Sequence, residues 1–284
     1  MSLFRRAGAL IARFFESAAD PAAAAGELQL YSKNIAGQPT ISSIGADSIP
    51  TPMQPSVAHK KVDLQGFSTN LFGEGVVLTS GASPTARTQT SASFCAAQIR
   101  SGYASPASAG STQTYRTNTA TSWRGNGPGL GGFTHVFRFN ISDTVLVATA
   151  NMFVGLIAST INTYVAPSTR VNFIGIGCDS GDTVLQLYAA GAVAQPRISL
   201  GASFPVNTTS VDVYELTLYA QPNGLDIGYK VERLNTGDVT SGTISAAAQL
   251  PSSTTLLTPQ LFRSNGGTAA AVAFDLAYVY RESR

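Results

Sequence analysis

The chain has few charged residues and no strongly basic or acidic segment. Lys, Arg, Asp and Glu make up 12% of its 284 residues, about half of the ~25% found in an average soluble protein. So few charges are typical of a surface that partner molecules largely cover. The net charge is only +2, and basic residues cluster no further than short pairs such as Lys60-Lys61. The sequence therefore argues against a polyanion-binding surface, and no nucleic-acid partner is expected.

Histidine and cysteine are nearly absent, which limits the possible catalytic sites. His59 and His135 are the only two histidines, so a Ser-His-Asp or Cys-His arrangement would need one of them as its base. His135 lies on the apolar stripe of a predicted strand, which favours a core residue, and His59 lies in a predicted extended segment. Cys95 and Cys178 each lie among apolar or small residues, which favours buried free thiols.

The acidic residues offer two candidate sites, and each has a simpler structural interpretation. Asp179 and Asp182 share a Gly-containing turn and could bind Ca²⁺, but two carboxylates are too few ligands for that cation. We expect a plain turn, no metal and no other cofactor. Glycoside hydrolysis needs two converging carboxyl groups, and the candidates by position alone are Asp212, Glu215, Asp226 and Glu232. Because solvent-facing charges explain these four equally well, we assign no catalytic residue and expect no enzyme.

Large apolar residues alternate with other residues along several segments of the C-terminal half. The last segment places Val272, Phe274, Leu276, Tyr278 and Tyr280 on one face. Upstream segments repeat the pattern with Phe133, His135, Phe137, Phe139 and Ile141, with Tyr214, Leu216 and Leu218, and with Ile227, Tyr229 and Val231. A period of two residues is typical of antiparallel strands with one buried side.

Turn residues divide the C-terminal half into regularly spaced short segments. We predict strands near residues 133–142, 152–158, 171–178, 183–189, 196–200, 211–220, 226–234, 239–246, 256–263 and 270–281. Short strands with this spacing predict an antiparallel β-sandwich over residues 133–284. Residues 62–132 are predicted to form short strands and loops, with loop or irregular edge from Ser101 to Gly132.

The N-terminal part is predicted to form an amphipathic helix over residues 1–20 and an extended, Pro-rich arm over residues 21–61. The helix would carry Leu3, Phe4, Ala7, Leu10, Ile11, Phe14, Phe15 and Ala18 on one stripe. Pro39, Pro50, Pro52 and Pro55 favour extended backbone in the arm. An isolated helix this short is marginal, so a helical bundle, a groove on another protein or a membrane surface would have to cover its apolar face.

If the chain recognises a glycan, the region around Trp123 is the best candidate site. Sugars present apolar CH patches beside hydroxyl groups, so they bind aromatic faces that have amides or guanidinium groups nearby. Trp123, Arg124 and Asn126 form the best local set, with Tyr103 and Tyr115 as secondary candidates. The alternative is that Trp123 fills the sandwich edge or a trimer interface.

Two groups of segments resemble known families. The first group looks like the concanavalin A-like lectin sandwich found on tailed-bacteriophage particle proteins. It consists of Phe153-Val154-Gly155-Leu156, Phe173-Ile174-Gly175-Ile176-Gly177, Leu185-Gln186-Leu187-Tyr188, Tyr214-Glu215-Leu216-Thr217-Leu218-Tyr219, Gly228-Tyr229-Lys230-Val231 and Gly266-Gly267-Thr268. The second resembles the attachment region of phage tail-fibre and related virion proteins. It consists of Leu30-Tyr31-Ser32-Lys33-Asn34-Ile35-Ala36-Gly37 and Pro52-Met53-Gln54-Pro55.

The resemblance implies a mainly β protein, with a jelly-roll, concanavalin A-like sandwich displayed on a phage particle. It implies a homotrimer that is assembled in the host cytoplasm and anchored in the virion by its N-terminus. The implied partners are other virion structural proteins and a host surface glycan, and membrane insertion is not expected. The expected docking residues are Leu3, Phe4, Leu10, Ile11, Phe14, Phe15, Leu30 and Tyr31. A tail fibre or receptor-binding protein is the first hypothesis, a capsid-attached head fibre or decoration protein the second, and a glycan-degrading enzyme the third.

Overall fold

The computed structural model divides the chain into two compact units, Met1–Ser56 and Val57–Arg284. It describes residues 20–21, 27–35, 38–44, 51–52, 61–66, 76–79, 85–86, 101–117, 119–127, 130–209 and 211–283. The predicted N-terminal helix lies outside these residues apart from Asp20, and so do its six expected docking residues Leu3, Phe4, Leu10, Ile11, Phe14 and Phe15. In the described part the helical elements are two 3₁₀ turns, Pro167–Thr169 and Ala247–Gln249, and no helix there could cross a membrane.

The N-terminal unit contains a small antiparallel sheet. Strands β1 (Gln29–Ile35) and β2 (Gln38–Ile44) pair along their full length, and β3 (Thr51–Pro52) pairs with β2. Asp20 closes onto β1, because its carboxylate accepts hydrogen bonds from the Tyr31 hydroxyl at 2.6 Å and from Lys33 Nζ at 2.7 Å. The backbone expected to be an extended arm is therefore extended, but over these residues it pairs with itself.

The second unit is a sandwich of two antiparallel sheets. One sheet has the order β13-β12-β11-β10-β17-β8-β5; the other has the order β16-β15-β14-β9-β18-β7-β6, with β4 also paired to β18. The strands are β4 (Lys61–Gly66), β5 (Val76–Thr79), β6 (Thr85–Ala86), β7 (Ser101–Ala104), β8 (Thr112–Thr117), β9 (Phe133–Ile141), β10 (Asn151–Ile157), β11 (Phe173–Cys178), β12 (Gln186–Ala190), β13 (Ile198–Ser199), β14 (Val213–Ala220), β15 (Ile227–Arg233), β16 (Asp238–Ile244), β17 (Thr258–Ser264) and β18 (Ala273–Ser283). This architecture confirms the predicted mainly β sandwich, and each of the ten predicted strands has a counterpart.

The sandwich begins well before residue 133, since β4 to β8 belong to its two sheets. Strand β8 lies between β17 and β5, inside the region predicted to be loop or irregular edge. Its side chain Tyr115 is fully buried, and Thr112, Gln113 and Thr114 are also buried. Small and polar residues conceal this strand in the sequence, although β-branched Thr suits a pleated sheet well.

The main core lies between the sheets and contains the predicted stripes. All five stripe residues of β9 are buried, as are Tyr214, Leu216 and Leu218 of β14. They pack against the inner faces of β10, β11 and β17 through residues such as Val154, Ile176 and Leu261. The inward alternation predicted for β9 and β14 is thereby confirmed.

Strand β18 changes the set of side chains that it turns toward the core. Its register against β9 shifts by one residue between Leu276 and Tyr278, and such a bulge moves all later side chains to the opposite face. Val279 therefore continues the core row of Phe274 and Leu276, while Tyr278 and Tyr280 lie on the outer face. The predicted core position of these two tyrosines was wrong, because strict alternation does not reveal an inserted residue.

The central strands β10, β11, β12 and β17 of the seven-stranded sheet are buried on both of their faces. A second apolar cluster occupies the outer face of this sheet and consists of Phe153, Ile157, Ile161, Phe173, Tyr188, Ala190 and Phe262. Residues 158–172 form the covering loop, which brings Ile161 onto the sheet. The Gln260 side chain fixes this loop, since Oε1 accepts from Ile161 N at 2.9 Å and Nε2 donates to Ile161 O at 2.6 Å.

A buried ion pair joins the two sheets near the C-terminal end of β9. Arg263 of β17 and Asp143 are each only 1% exposed. Arg263 Nε donates to Asp143 Oδ1 at 3.1 Å, and Nη2 pairs with Oδ2. Asp143 also accepts from the backbone N of Ala273 at 2.6 Å and from Asn207 Nδ2 at 2.9 Å. Several donors thus compensate a carboxylate that has lost its water.

Candidate functional site

Three loops meet at the end of the sandwich where β9 begins, and we call this region the Trp123 end. It consists of residues 119–127 and 130–132, which are the described parts of the loop before β9, together with residues 220–226 and residues 251–257. Trp123 O accepts from Gly132 N at 2.9 Å, Arg124 O accepts from Asn223 N at 2.8 Å, and Gly125 N donates to Ser253 O at 3.0 Å. The loops are therefore joined mainly through their backbones.

Glycine is needed at two positions of this junction because the backbones approach closely. Gly131 has φ +70°, and a Cβ there would lie 2.4 Å from Gly125 N. Gly132 has φ +84°, and a Cβ there would lie 2.7 Å from Pro222 N. Both the left-handed backbone and the lack of space exclude larger residues. The glycine-rich segment thus holds this end of the sandwich in one shape.

The three main glycan-site candidates lie in this loop, but they differ in availability. Trp123 is partly exposed and Asn126 is exposed. Arg124 is occupied by the protein itself, since Nε and Nη2 donate to Pro251 O at 3.0 and 2.8 Å and Nη1 donates to Gly224 O at 2.8 Å. Burial lowers the pKa of Arg124, and the charge of Asp226 opposes that shift. Arg124 therefore ties the loops together.

The two secondary candidates do not join this set. Tyr115 is fully buried in the main core, because its position in β8 faces the opposite sheet. Tyr103 lies in β7, where its backbone pairs with Phe274, which is in turn opposite Ile141 at the far end of β9. Neither tyrosine belongs to a surface site at the Trp123 end.

His135 lies beneath the Trp123 end and is fully buried. Its Nε2 is 2.7 Å from the hydroxyl of Ser122, which is also fully buried. Burial, helped by the positive charge of Arg281, lowers the pKa of His135 to about 3. The ring packs between Phe133 and Phe137. A histidine so placed is neutral near pH 7 and contributes to packing, as the sequence predicts for this residue.

A small recess opens next to this end, on the outer side of the eight-stranded sheet. It has a volume of about 30 Å³, and its lining includes Gly132, Thr134, Tyr219, Pro222 and Glu282. Glu282 is only 1% exposed, and its Oε1 accepts from the Tyr280 hydroxyl at 2.6 Å. Burial raises the pKa of Tyr219, and the charges of Asp226 and Glu282 add to that shift. The described lining of the recess therefore combines one carboxylate with several hydroxyl groups.

The carboxylates proposed by position for glycoside hydrolysis are held by other partners. Glu215 accepts from Arg138 at 2.7 Å and from the Tyr278 hydroxyl at 2.6 Å. Asp212 pairs with Arg233 at 2.8 Å, and Glu232 pairs with Lys230 at 2.6 Å. Asp226 is exposed in the turn before β15. Glu215 and Glu232 are directly opposite each other in the β14–β15 ladder, but each is bound to a basic side chain rather than set against the other as an acid and base pair.

The turn that carries Asp179 and Asp182 is closed by a guanidinium group. Arg197 Nη1 lies 2.9 Å from Asp179 Oδ2 and 2.5 Å from Asp182 Oδ2. Asp179 Oδ1 also accepts from the Tyr188 hydroxyl at 3.2 Å. In the described part of the chain no group of three or more His, Cys, Asp or Glu side chains is arranged to bind a metal.

The cysteines and the N-terminal docking residues complete the set of sequence candidates. Cys178 is buried, and burial raises the pKa of its thiol to about 12; Cys95 and His59 lie outside the described residues. Leu30 is 50% exposed on β1, whereas Tyr31 is only 7% exposed and is bound to Asp20. Leu30 can contact a partner, but the aromatic ring of Tyr31 stabilises its own unit instead.

Comparisons with known proteins identify the fold. No family model and no curated protein matches the sequence. Among solved structures, the chain is similar to arcelin-5, a lectin-like defense protein from Phaseolus vulgaris, with a TM-score of 0.50, 9% identity and coverage of 79% of this chain and 98% of arcelin-5. It is also similar to winged bean acidic lectin complexed with methyl-α-D-galactose, with a TM-score of 0.50, 10% identity and coverage of 79% and 98%.

A third similar structure is a protein of unknown function from Shewanella oneidensis, with a TM-score of 0.51, 12% identity and coverage of 81% of this chain and 90% of that protein. At such low identities the similarity concerns the fold alone. It confirms the lectin-like sandwich that the sequence predicts. The phage assignment still rests on the sequence resemblance.

Sequence reasoning missed Glu282 and Tyr219, the polar residues of the recess. Both lie on the outer faces of their strands, and the alternation of apolar residues reveals only the inner faces. The signal available in the sequence was the acidic residue near the end of an otherwise apolar last strand.

Proposed function

We propose that this protein is a non-enzymatic structural component of a phage particle. In this proposal the N-terminal unit anchors the chain in the virion and the lectin-like sandwich is displayed outward, as a trimeric tail fibre or receptor-binding protein. The chain would be assembled into the particle in the host cytoplasm. Three observations support the proposal: the sequence resemblance, the lectin-like fold and the low charge content.

The observation that carries this proposal is the exposed apolar face of the N-terminal unit. Leu28, Leu30 and Ile41 are 71%, 50% and 41% exposed. Leu30 and Ile41 share a face of the β1–β2 pair, because Leu30 is opposite Ser43 and Ile41 is opposite Ser32, two residues along. Exposed apolar side chains grouped on one face of a small sheet suit a protein–protein contact. This face would bind other virion subunits.

The pairing of the carboxylates supports a non-enzymatic role. A glycosidase needs one carboxyl group to donate a proton and a second to act as base or nucleophile. Glu215, Asp212 and Glu232 are each bound to a basic side chain, so their oxygens are already engaged within the sandwich. The sandwich is therefore better suited to adhesion, in which repeated copies turn weak contacts into strong attachment.

Native mass spectrometry of the purified chain and electron microscopy of phage particles test the proposal. Native mass measurement should give three times the 29.5 kDa of one chain. Immunogold labelling of phage particles from the source of this sequence should locate the sandwich on the tail. Leu30→Asp combined with Ile41→Asp should abolish incorporation, while the control Leu225→Asp, at a position 85% exposed in the sandwich, should leave it intact. A monomer, or particles without label, would overturn the proposal, and label on the capsid would assign a head fibre.

A further inference from the structure

The chain contains three Asn-Gly pairs, Asn126-Gly127, Asn223-Gly224 and Asn265-Gly266. An asparagine that precedes glycine can lose its side-chain amide without an enzyme, because glycine has no Cβ to hinder attack by its own backbone nitrogen. The attack needs an accessible side-chain amide and a glycine N–H that is not held elsewhere. The fold places the three pairs in different surroundings, so their reactivities should differ.

Asn265 is the most protected of the three asparagines. It is fully buried, and its Nδ2 donates to Ser108 O at 2.7 Å and to Ala270 O at 2.8 Å. The nitrogen of Gly266 donates to Ser264 Oγ at 3.2 Å. Both reacting groups are therefore held, and the attack would require this part of the sandwich to open.

Asn223 is exposed, but the nitrogen that would attack it is engaged. Gly224 N donates to Gln221 O at 2.9 Å, and the backbone nitrogen of Asn223 donates to Arg124 O at 2.8 Å and to Leu130 O at 2.9 Å. The turn is thus fixed by the neighbouring loop, and Gly224 must break its hydrogen bond before it can react.

Asn126 and Gly127 meet both requirements. Asn126 is exposed, and within the described part of the chain no hydrogen bond engages its side chain or the nitrogen of Gly127. The loop is fixed on either side of the reacting groups, since Gly125 N donates to Ser253 O at 3.0 Å and Gly127 O accepts from Leu130 N at 3.0 Å. The nitrogen of Gly127 can therefore approach Cγ of Asn126 without loss of a hydrogen bond.

We propose that Asn126 is a site of spontaneous deamidation in the native protein. Hydroxide takes the proton from Gly127 N, which attacks Cγ of Asn126; the new N–Cγ bond closes a succinimide ring, and the Cγ–Nδ2 bond breaks as ammonia leaves with a proton from water. Water then opens the ring at Cγ, which gives aspartate, or at the main-chain carbonyl carbon of Asn126, which gives isoaspartate. No oxidant or reductant takes part. Either product adds a carboxylate to the loop that carries Trp123 and lowers the net charge of +2 by one unit.

The test follows the three pairs in the purified full chain during incubation at pH 8.5. Each pair falls in its own tryptic peptide, bounded by Arg124 and Arg138, by Arg197 and Lys230, and by Arg263 and Arg281. Mass spectrometry of these peptides measures the replacement of amide by carboxylate at each pair. Asn126 should react severalfold faster than Asn223 and at least about tenfold faster than Asn265, since breaking one or two protecting hydrogen bonds has roughly these effects.

The same incubation in concentrated urea separates the fold from the local sequence. There the three pairs should react at similar rates, because their protecting hydrogen bonds are gone. Equal rates in the native protein, or no reaction at Asn126, would overturn the proposal. A preference for Asn126 that persists unchanged in urea would show that the sequence, and not the fold, selects the site, and would overturn the structural argument.

Variants test the role of Gly127. Gly127→Ala adds a Cβ that hinders the attack, so the Asn126 amide should be lost severalfold more slowly. The added Cβ would lie 3.4 Å from Leu130 Cδ1, an ordinary contact, whereas in the control Gly267→Ala it would meet nothing within 4 Å, and the parent rate should be kept. Ion-exchange chromatography of the aged parent should show an acidic form that coelutes with the variant Asn126→Asp. Loss of the amide at the parent rate in Gly127→Ala would refute the mechanism.

Discussion

His135 should make the sandwich lose stability as the pH falls from 7 to 4. Its pKa is about 3 in the folded protein, whereas it is about 6.5 in an unfolded chain. Because the folded pKa is depressed, the unfolded state takes up a proton first as the pH falls. The stability present above pH 6.5 is therefore lost progressively between pH 6.5 and pH 3.

The size of this loss follows from the two pKa values. Each pH unit between them changes the free energy of unfolding by about 1.36 kcal/mol. Between pH 7 and pH 5 the protein should lose roughly 2 kcal/mol through His135 alone, and roughly 3 kcal/mol by pH 4.

Urea unfolding at pH 7, 6, 5 and 4 measures the effect. His135→Gln keeps a hydrogen-bonding side chain beside Ser122 and does not titrate in this range, so its stability should fall less with pH than that of the parent. The control His59→Gln should keep the full pH dependence. If the parent and His135→Gln lose the same stability between pH 7 and pH 5, His135 is not the group responsible and the argument from burial fails.

Three further predictions concern packing and reactivity. Asp143→Asn leaves the buried Arg263 without its counter-charge and should cost about 3 kcal/mol or more, while Asp238→Asn, at a partly exposed site on an edge strand, should change urea stability by less than ~0.5 kcal/mol; equal effects would refute the buried pair. Gly177→Ala places a Cβ 1.9 Å from Met152 O and should lower the melting temperature by several degrees or prevent folding, whereas Gly267→Ala, which meets nothing within 4 Å, should not; a neutral Gly177→Ala would mean that β10 and β11 are not so close. In a Cys95→Ser background, Cys178 should react with thiol reagents only after unfolding, because it is buried and its pKa is raised to about 12; rapid labelling of the native protein would contradict this.

The sequence predicts best where one large apolar side chain recurs at every second position. The row Phe133, His135, Phe137, Phe139 and Ile141 needed no tertiary information, since only one face of a strand could bury it. The same reasoning does not predict strand β8, because its inner row of Gln113, Tyr115 and Thr117 contains a single large apolar residue. Small polar side chains are buried there only because strands on both sides supply the surroundings.

The alternation of apolar residues cannot predict features that depend on distant parts of the chain. The bulge at Ala277 shows no local signal, and it reverses the faces of Tyr278 and Tyr280. Arg263 and Asp143 are 120 positions apart, so neither residue reveals the other. The recess likewise joins Thr134, Tyr219 and Glu282 from three strands, and only the pairing of those strands brings them together.

The loop over the seven-stranded sheet carries a practical consequence for anyone who redesigns this protein. Ile161, held by the Gln260 amide, covers the second apolar cluster, whose phenylalanine rings would otherwise face water. Shortening that loop would not open a binding groove. It would expose an apolar, aggregation-prone surface. Such a shortened chain should precipitate. Peptide inserts should instead be placed at the exposed residues Asn162 and Thr163, so that Ile161 and Gln260 still cover the apolar cluster.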